Sequence, residues 1–122
     1  MLKDNFFSIL NCTNTADSEV NFTICLHSEH TIYQAHFPNN PITPGVCIIQ
    51  IAKELFAFFK QTDFTIKKIK NVKFLYPIDP TVHNTVNFNI NWEENNELFR
   101  LKTTVYEGDT VFSKLNMEVL KK

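Results

Sequence analysis

The residues best suited to chemistry lie in one stretch, His36-Phe37-Pro38-Asn39-Asn40-Pro41-Ile42-Thr43-Pro44-Gly45-Val46. Each of its three prolines turns the preceding residue away from α geometry, so the loop runs extended as far as Pro44. Pro44 then suits the first position of a helix, where a missing N–H costs nothing. Gly45, one of only two glycines in the chain, lets the backbone approach a ligand closely. The free N–H groups of the new helix point back toward the loop carrying His36. A titratable imidazole thus stands beside a site for a polarised carbonyl or an anion. This combination suits general base chemistry on an acyl group. A histidine in such a place also serves as a cap satisfied by backbone carbonyls, and that reading stays open on these residues alone.

The other reactive side chains are less suggestive. His27, His30 and His36 invite a metal reading, but His27-x-x-His30 lies at a strand end without a third ligand at supportive spacing, so no metal is expected. His83 reads as a turn residue, and Cys47 as a small residue packed in a helix. The three cysteines, Cys12, Cys25 and Cys47, are odd in number and unpaired in spacing, which suggests a reducing compartment and a cytoplasmic protein. No leader segment and no membrane insertion are expected. Twelve phenylalanines and a 43 % hydrophobic content describe a globular chain, and a net charge of −1 argues against a nucleic-acid surface. Lys67, Lys68, Lys70 and Lys73 break that neutrality locally and could guide an acidic partner, or simply form the solvated face of a strand.

The elements that hold the motif follow from periodicity. Val86, Phe88, Ile90 and Trp92 alternate with asparagines, which is the pattern of a half-buried strand. Val20 to Leu26, Ile66 to Tyr76, Leu101 to Val105 and Val111 to Val119 read as further strands, with a short opening strand over Phe6 to Leu10. Glu107-Gly108-Asp109 is a hairpin turn in which Gly108 supplies positive φ. The long helix is Pro44 to about Lys60, and its apolar residues are not confined to one stripe, so it should be wrapped on most sides. One domain over residues 1–122 is expected, an α+β fold with an antiparallel sheet around one central helix.

The string His36-Phe37-Pro38-x-x-Pro41-x-x-Pro44-Gly45-Val46, with Val72-Lys73-Phe74-Leu75-Tyr76-Pro77-Ile78 downstream, resembles the hot-dog-fold 3-hydroxyacyl-[acyl-carrier-protein] dehydratases of the FabZ/FabA type. The resemblance covers roughly residues 18 to 120. It departs at Asn39, where the family usually has Gly, and more seriously at Gln50. There, six residues after the last motif proline, the family has a catalytic Glu or Asp. Four residues further on, where FabZ-type members often carry Gln, this chain has Glu54, so the two side chains look exchanged.

The resemblance implies a (3R)-3-hydroxyacyl thioester substrate, carried on the phosphopantetheine of acyl carrier protein with no other cofactor. Loss of water gives the trans-2-enoyl thioester, in fatty-acid or polyene-like and polyketide-like synthesis. His36 would be the base, the N–H groups of Gly45 and Val46 would hold the thioester oxygen, and Phe37 and Pro44 would complete the binding loop. An amide cannot replace a carboxylic acid as proton donor, so the acid would be water, Glu54 as a substitute, or His36 serving both steps. A homodimer or higher assembly is implied, the histidine of one subunit facing the helix of the other. Phe56, Phe58 and Phe59 could line an acyl tunnel or pack in the core. Two other functions remain: a non-catalytic acyl-thioester-binding subunit that partners a competent paralogue, and a hot-dog thioesterase.

Overall fold

The computed structural model describes residues 1–35 and 39–122. Three residues of the motif, His36, Phe37 and Pro38, lie outside that range. The elements run β1 (Phe7–Ala16), β2 (Glu19–Leu26), α1 (Thr31–Ala35), α2 (Gly45–Lys60), β3 (Phe64–Phe74), β4 (Thr85–Asn95), β5 (Leu98–Glu107) and β6 (Thr110–Lys121). All six strands form one antiparallel sheet in the order β1-β2-β4-β5-β6-β3, and α2 packs against it.

Period-two alternation builds the packed face. Val20, Phe22, Ile24, Val86, Phe88, Ile90, Leu101, Val105, Leu115, Met117 and Val119 are buried, and the asparagines between the β4 residues face outward. Gly108 has φ 56° at the first of two turn residues between Glu107 and Thr110, as the sequence predicts. A second hairpin turn, between Asn95 and Leu98, uses Asn96 at φ 61°. β1 is longer than the expected Phe6–Leu10. Its outer residues are exposed on both faces, so main-chain pairing to β2 holds them and no alternation marks them.

Helix α2 begins one residue later than expected, with Pro44 as the extended N-cap at ψ 143°. It ends at Gln61, whose left-handed backbone (φ 54°) allows the N–H groups of Gln61 and Thr62 to close on Phe58 and Ala57 carbonyls. Cys47, Ile48, Ile51, Ala52, Leu55 and Phe56 face the sheet, and Ile49, Gln50, Lys53 and Ala57 on the adjoining flank are half-buried, with Ile49 and Ala57 packed against the core. Val46 is 74 % exposed. The helix is thus covered on most sides, and its flank along residues 46–57 is the least covered.

At the far end of α2 the aromatic residues divide their tasks. Phe56 is fully buried, with ring centroids of Phe64, Trp92 and Phe99 at 5.1, 5.3 and 5.3 Å. Phe59 packs on Trp92 at 5.4 Å, and the Lys60 ammonium lies 4.9 Å from the Trp92 ring centroid. Only Phe58, 40 % exposed, faces a groove.

Candidate functional site

The motif loop is pinned at both ends. On the α1 side, Tyr33 is buried against Phe6 (5.1 Å, stacked), and its hydroxyl meets Thr43 Oγ1 at 3.0 Å. Burial pushes the Tyr33 phenol up to about 12, against the opposing hydrogen bond from Thr43. On the α2 side, the Thr43 N–H donates to the Ile78 carbonyl at 2.8 Å. Neither Tyr33 nor Thr43 stood out in the sequence, although both flank the proline run.

At the start of α2, the N–H groups of Cys47 and Ile48 both donate to the Pro44 carbonyl, at 3.0 and 3.2 Å. Among the described residues this leaves the amides of Gly45 and Val46 as the two donors without an acceptor. A first helical turn concentrates positive potential at such a pair. Gly45 lets the Phe74 ring approach the backbone closely here. A Cβ on it would lie 2.6 Å from the Phe74 ring, which stacks over this turn from the end of β3. Cys47, one turn in, is buried. Burial pushes its thiol up, which suits a packing residue and not a nucleophile.

Two turns into α2 the exchanged pair is in direct contact. Gln50 Nε2 donates to Glu54 Oε2 at 2.7 Å. Glu54, only 6 % exposed, also accepts the backbone N–H of Leu2 on both oxygens (3.0 and 2.8 Å) and that of Lys3 on Oε1 (2.8 Å). All of these contacts come from N–H donors, so Glu54 is arranged to accept hydrogen bonds. This geometry does not supply the substitute acid that the sequence raised for Glu54. The partners that explain its burial are main-chain amides far away in sequence, which no residue pattern could announce.

Gln50 and Glu54 line a groove of about 500 Å³ along the least covered flank of α2. Ala57, Phe58 and Phe64 make it apolar, and Lys3, Lys53 and Lys122 stand at its rim. The remaining histidines have local tasks. His27 bonds Ser8 Oγ (2.7 Å) and the Asn5 carbonyl (2.8 Å), and His30 Nδ1 accepts the Ile32 N–H (3.1 Å). His83 pairs with Glu107 at 2.8 Å and is half-buried beside Phe112, not the plain turn residue expected.

A model of the ApeI-like family, described as ApeI dehydratase, matches residues 12–114. The chain belongs to that family. The β-sheet with its single long helix is a hot-dog fold, as the motif implied. Among solved structures, it is similar to the dehydratase heterocomplex ApeI:P from Xenorhabdus doucetiae, with 23 % identity, 92 % of this chain and 96 % of that one covered, and a TM-score of 0.74. It is also similar to a putative thioesterase from Shewanella oneidensis (12 % identity, 94 % and 82 % covered, TM-score 0.57). A third is the dehydratase domain from the CurK module of curacin polyketide synthase (15 % identity, 93 % and 42 % covered, TM-score 0.57). At these identities the solved structures establish the fold, and dehydratases and a thioesterase share it. Among curated proteins, none matches. Membership in the ApeI-like family makes this a dehydratase-like hot-dog protein.

Proposed function

We propose that the chain dehydrates a (3R)-3-hydroxyacyl thioester carried by acyl carrier protein. The observation that carries the reading is the pair of unpartnered amides, Gly45 and Val46, at a helix start in a member of a dehydratase family. They suit a thioester oxygen that gains negative charge as the α-proton leaves. His36 takes that proton; an imidazole near its free pKa of ~6.5 is largely neutral at pH 7. The C–O bond to the 3-hydroxyl then breaks, and the same imidazolium returns its proton to the departing oxygen as water forms. Gln50 holds the hydroxyl. Absence of a dedicated acid costs about 10²–10⁴-fold, which a conjugated, more activated acyl chain would offset in part.

A second subunit is part of this reading. β3 is the last strand of the sheet and its outer edge is unpaired among the described residues, with Ile69, Phe74, Leu75 and Tyr76 exposed along and beyond it. Lys67, Lys68, Lys70 and Lys73 are exposed on the same strand, so a second sheet would meet a mixed apolar and charged edge. A second subunit there, identical or related, would also cover the half-buried flank of α2. The ApeI of Xenorhabdus doucetiae forms a heterocomplex, so a related chain is the second reading, favoured here by Gln50 in place of a carboxylate. Lys70, Lys73, Arg100, Lys102 and Lys114 line two adjoining hollows; Lys70 and Arg100 are paired with Glu118 and Glu93 lies beside them, so Lys73, Lys102 and Lys114 are the cations left to suit an acidic carrier.

The test is a mass-spectrometric dehydration assay with 3-hydroxyacyl carriers of several lengths and unsaturations. His36→Ala should remove nearly all turnover while the melting temperature stays within a few degrees. Full activity in His36→Ala would refute the mechanism. Turnover only after a related chain is added would favour the heteromeric reading.

A further inference from the structure

The Gln50–Glu54 contact is more than a surface pair on one helix. Glu54 is buried and its carboxylate is clamped by the amides of Leu2 and Lys3. Those amides sit in a tight turn that is itself immobilised. The Leu2 carbonyl accepts N–H groups from Asn5 (3.1 Å), Phe6 (2.7 Å) and Phe7 (3.3 Å), Asp4 adopts φ 68°, and Phe6 and Phe7 are fully buried in the core. The Lys3 ammonium adds a second hold, 5.2 Å from the Phe58 ring centroid. The carboxylate is therefore held from the main chain of a rigid turn, not from mobile side chains.

A carboxylate against an amide selects one orientation of that amide. Only the NH2 end can meet Glu54 Oε2 at 2.7 Å; the carbonyl end would place two acceptors in contact. The amide is planar, so fixing its nitrogen also fixes where the oxygen points. Gln50 Oε1 has no partner among the described residues and is left for the groove that Gln50 lines.

We infer that Glu54 is a positioning residue that makes Gln50 present its carbonyl oxygen to the substrate, with the N-terminal turn as its support. This rests on the dehydratase reading and specifies it. Gln50 accepts a hydrogen bond from the substrate 3-hydroxyl and thereby holds the C–O bond for cleavage, and Glu54 touches neither substrate nor reacting atoms.

Glu54→Gln tests this with an almost isosteric change. The amide introduced at 54 would keep Leu2 (3.0 Å) and Lys3 (2.8 Å) on its oxygen and turn its NH2 toward Gln50, giving up the second Leu2 contact at 2.8 Å. Gln50 would then flip and offer N–H in place of oxygen. The expected result is a fall in kcat of about 3- to 10-fold, the scale of one hydrogen bond between neutral groups, with KM changed less than twofold. The Gln50→Glu, Glu54→Gln double variant restores an acceptor at position 50 facing a donor at 54, and kcat should recover. Because a carboxyl at 50 adds an acid of its own, the double variant is compared with Gln50→Glu alone: a positioning role makes the added Glu54→Gln change harmless there, and a merely structural one repeats its full cost. The Gln50 side-chain NH2 signals in a 15N correlation spectrum give a readout independent of turnover, and they should shift in Glu54→Gln. If those signals stay unchanged, or if loss at 54 persists in the double variant, the positioning role is overturned. If they shift while the wild-type protein turns over no 3-hydroxyacyl carrier, the positioning stands and the dehydratase reading fails.

Discussion

Gln50→Glu puts a second carboxyl group where the amide nitrogen now lies 2.7 Å from Glu54 Oε2. Two unit charges at ~3 Å repel by about 5 kcal/mol at an effective dielectric of about 20, and by about 1.4 kcal/mol if water screens them fully. At 1.36 kcal/mol per pKa unit, the pair's second proton should leave about one to four units above the ordinary Glu value of ~4.3. Gln50 is half-buried, and Lys3, Lys53, Lys122 and Asp63 line the groove, so screening is partial and the shift lies inside that range. Below the unfolded pKa both folded and unfolded chains hold the proton, and the new O–H can donate to Glu54 as the amide did. Between ~4.3 and the raised value, the folded chain binds more protons than the unfolded one, so stability relative to wild type falls as pH rises. The loss should accumulate at about 1.4 kcal/mol per pH unit across that window and level off above it.

Thermal melts of wild type, Gln50→Glu and the Gln50→Glu, Glu54→Gln double variant from pH 4 to 9 measure this directly. The single variant should approach wild type near pH 4 and melt progressively lower toward pH 8, and the double variant should not. A carboxyl held protonated near neutrality is also the donor that Gln50 cannot be, so Gln50→Glu should accelerate dehydration on the acid side of its transition. A gap between wild type and Gln50→Glu that is the same at pH 5 and pH 8 would refute the contact between positions 50 and 54, and the reasoning built on it.

Two further outcomes test the frame around the site. Phe56→Ala should destabilise the fold by about 3–5 kcal/mol, since it removes a buried ring that touches three others, whereas Phe58→Ala, at a half-open groove, should cost clearly less in chemical denaturation. Glu118 is held below the ordinary carboxylate range by the Lys70 hydrogen bond first, with Arg100 adding to it. Its contribution is present above the unfolded pKa and is lost as pH falls through the lowered folded value, so Glu118→Gln should flatten the acid side of the melting profile below about pH 4.5.

Chain-local chemistry made much of this protein legible. Strands β2, β4, β5 and β6 alternate because one face is buried, and burial is written residue by residue at period two. The proline run and the Gly45-Val46 step mark the start of α2 for the same kind of reason: φ is fixed in the ring, and the helix must follow. These features gave an antiparallel sheet around one helix and marked Gly45 and Val46; the hot-dog family, and with it the interest of Gln50 and Glu54, came from the resemblance of the motif.

What the tertiary structure alone decided concerns partners distant in sequence. Nothing near Glu54 says that the amides of Leu2 and Lys3, 52 and 51 residues away, will clamp it and make it an acceptor. Every residue carries such an amide, so the bond leaves no mark on side-chain identity. The split among Phe56, Phe58 and Phe59 was equally hidden, because three apolar rings look alike until the sheet is placed beside them. That the flank of α2 along Ile49, Gln50, Lys53 and Ala57 is only half-buried was hidden for a related reason. An apolar pattern records that a surface is to be covered, while which chain covers it is settled by packing in three dimensions.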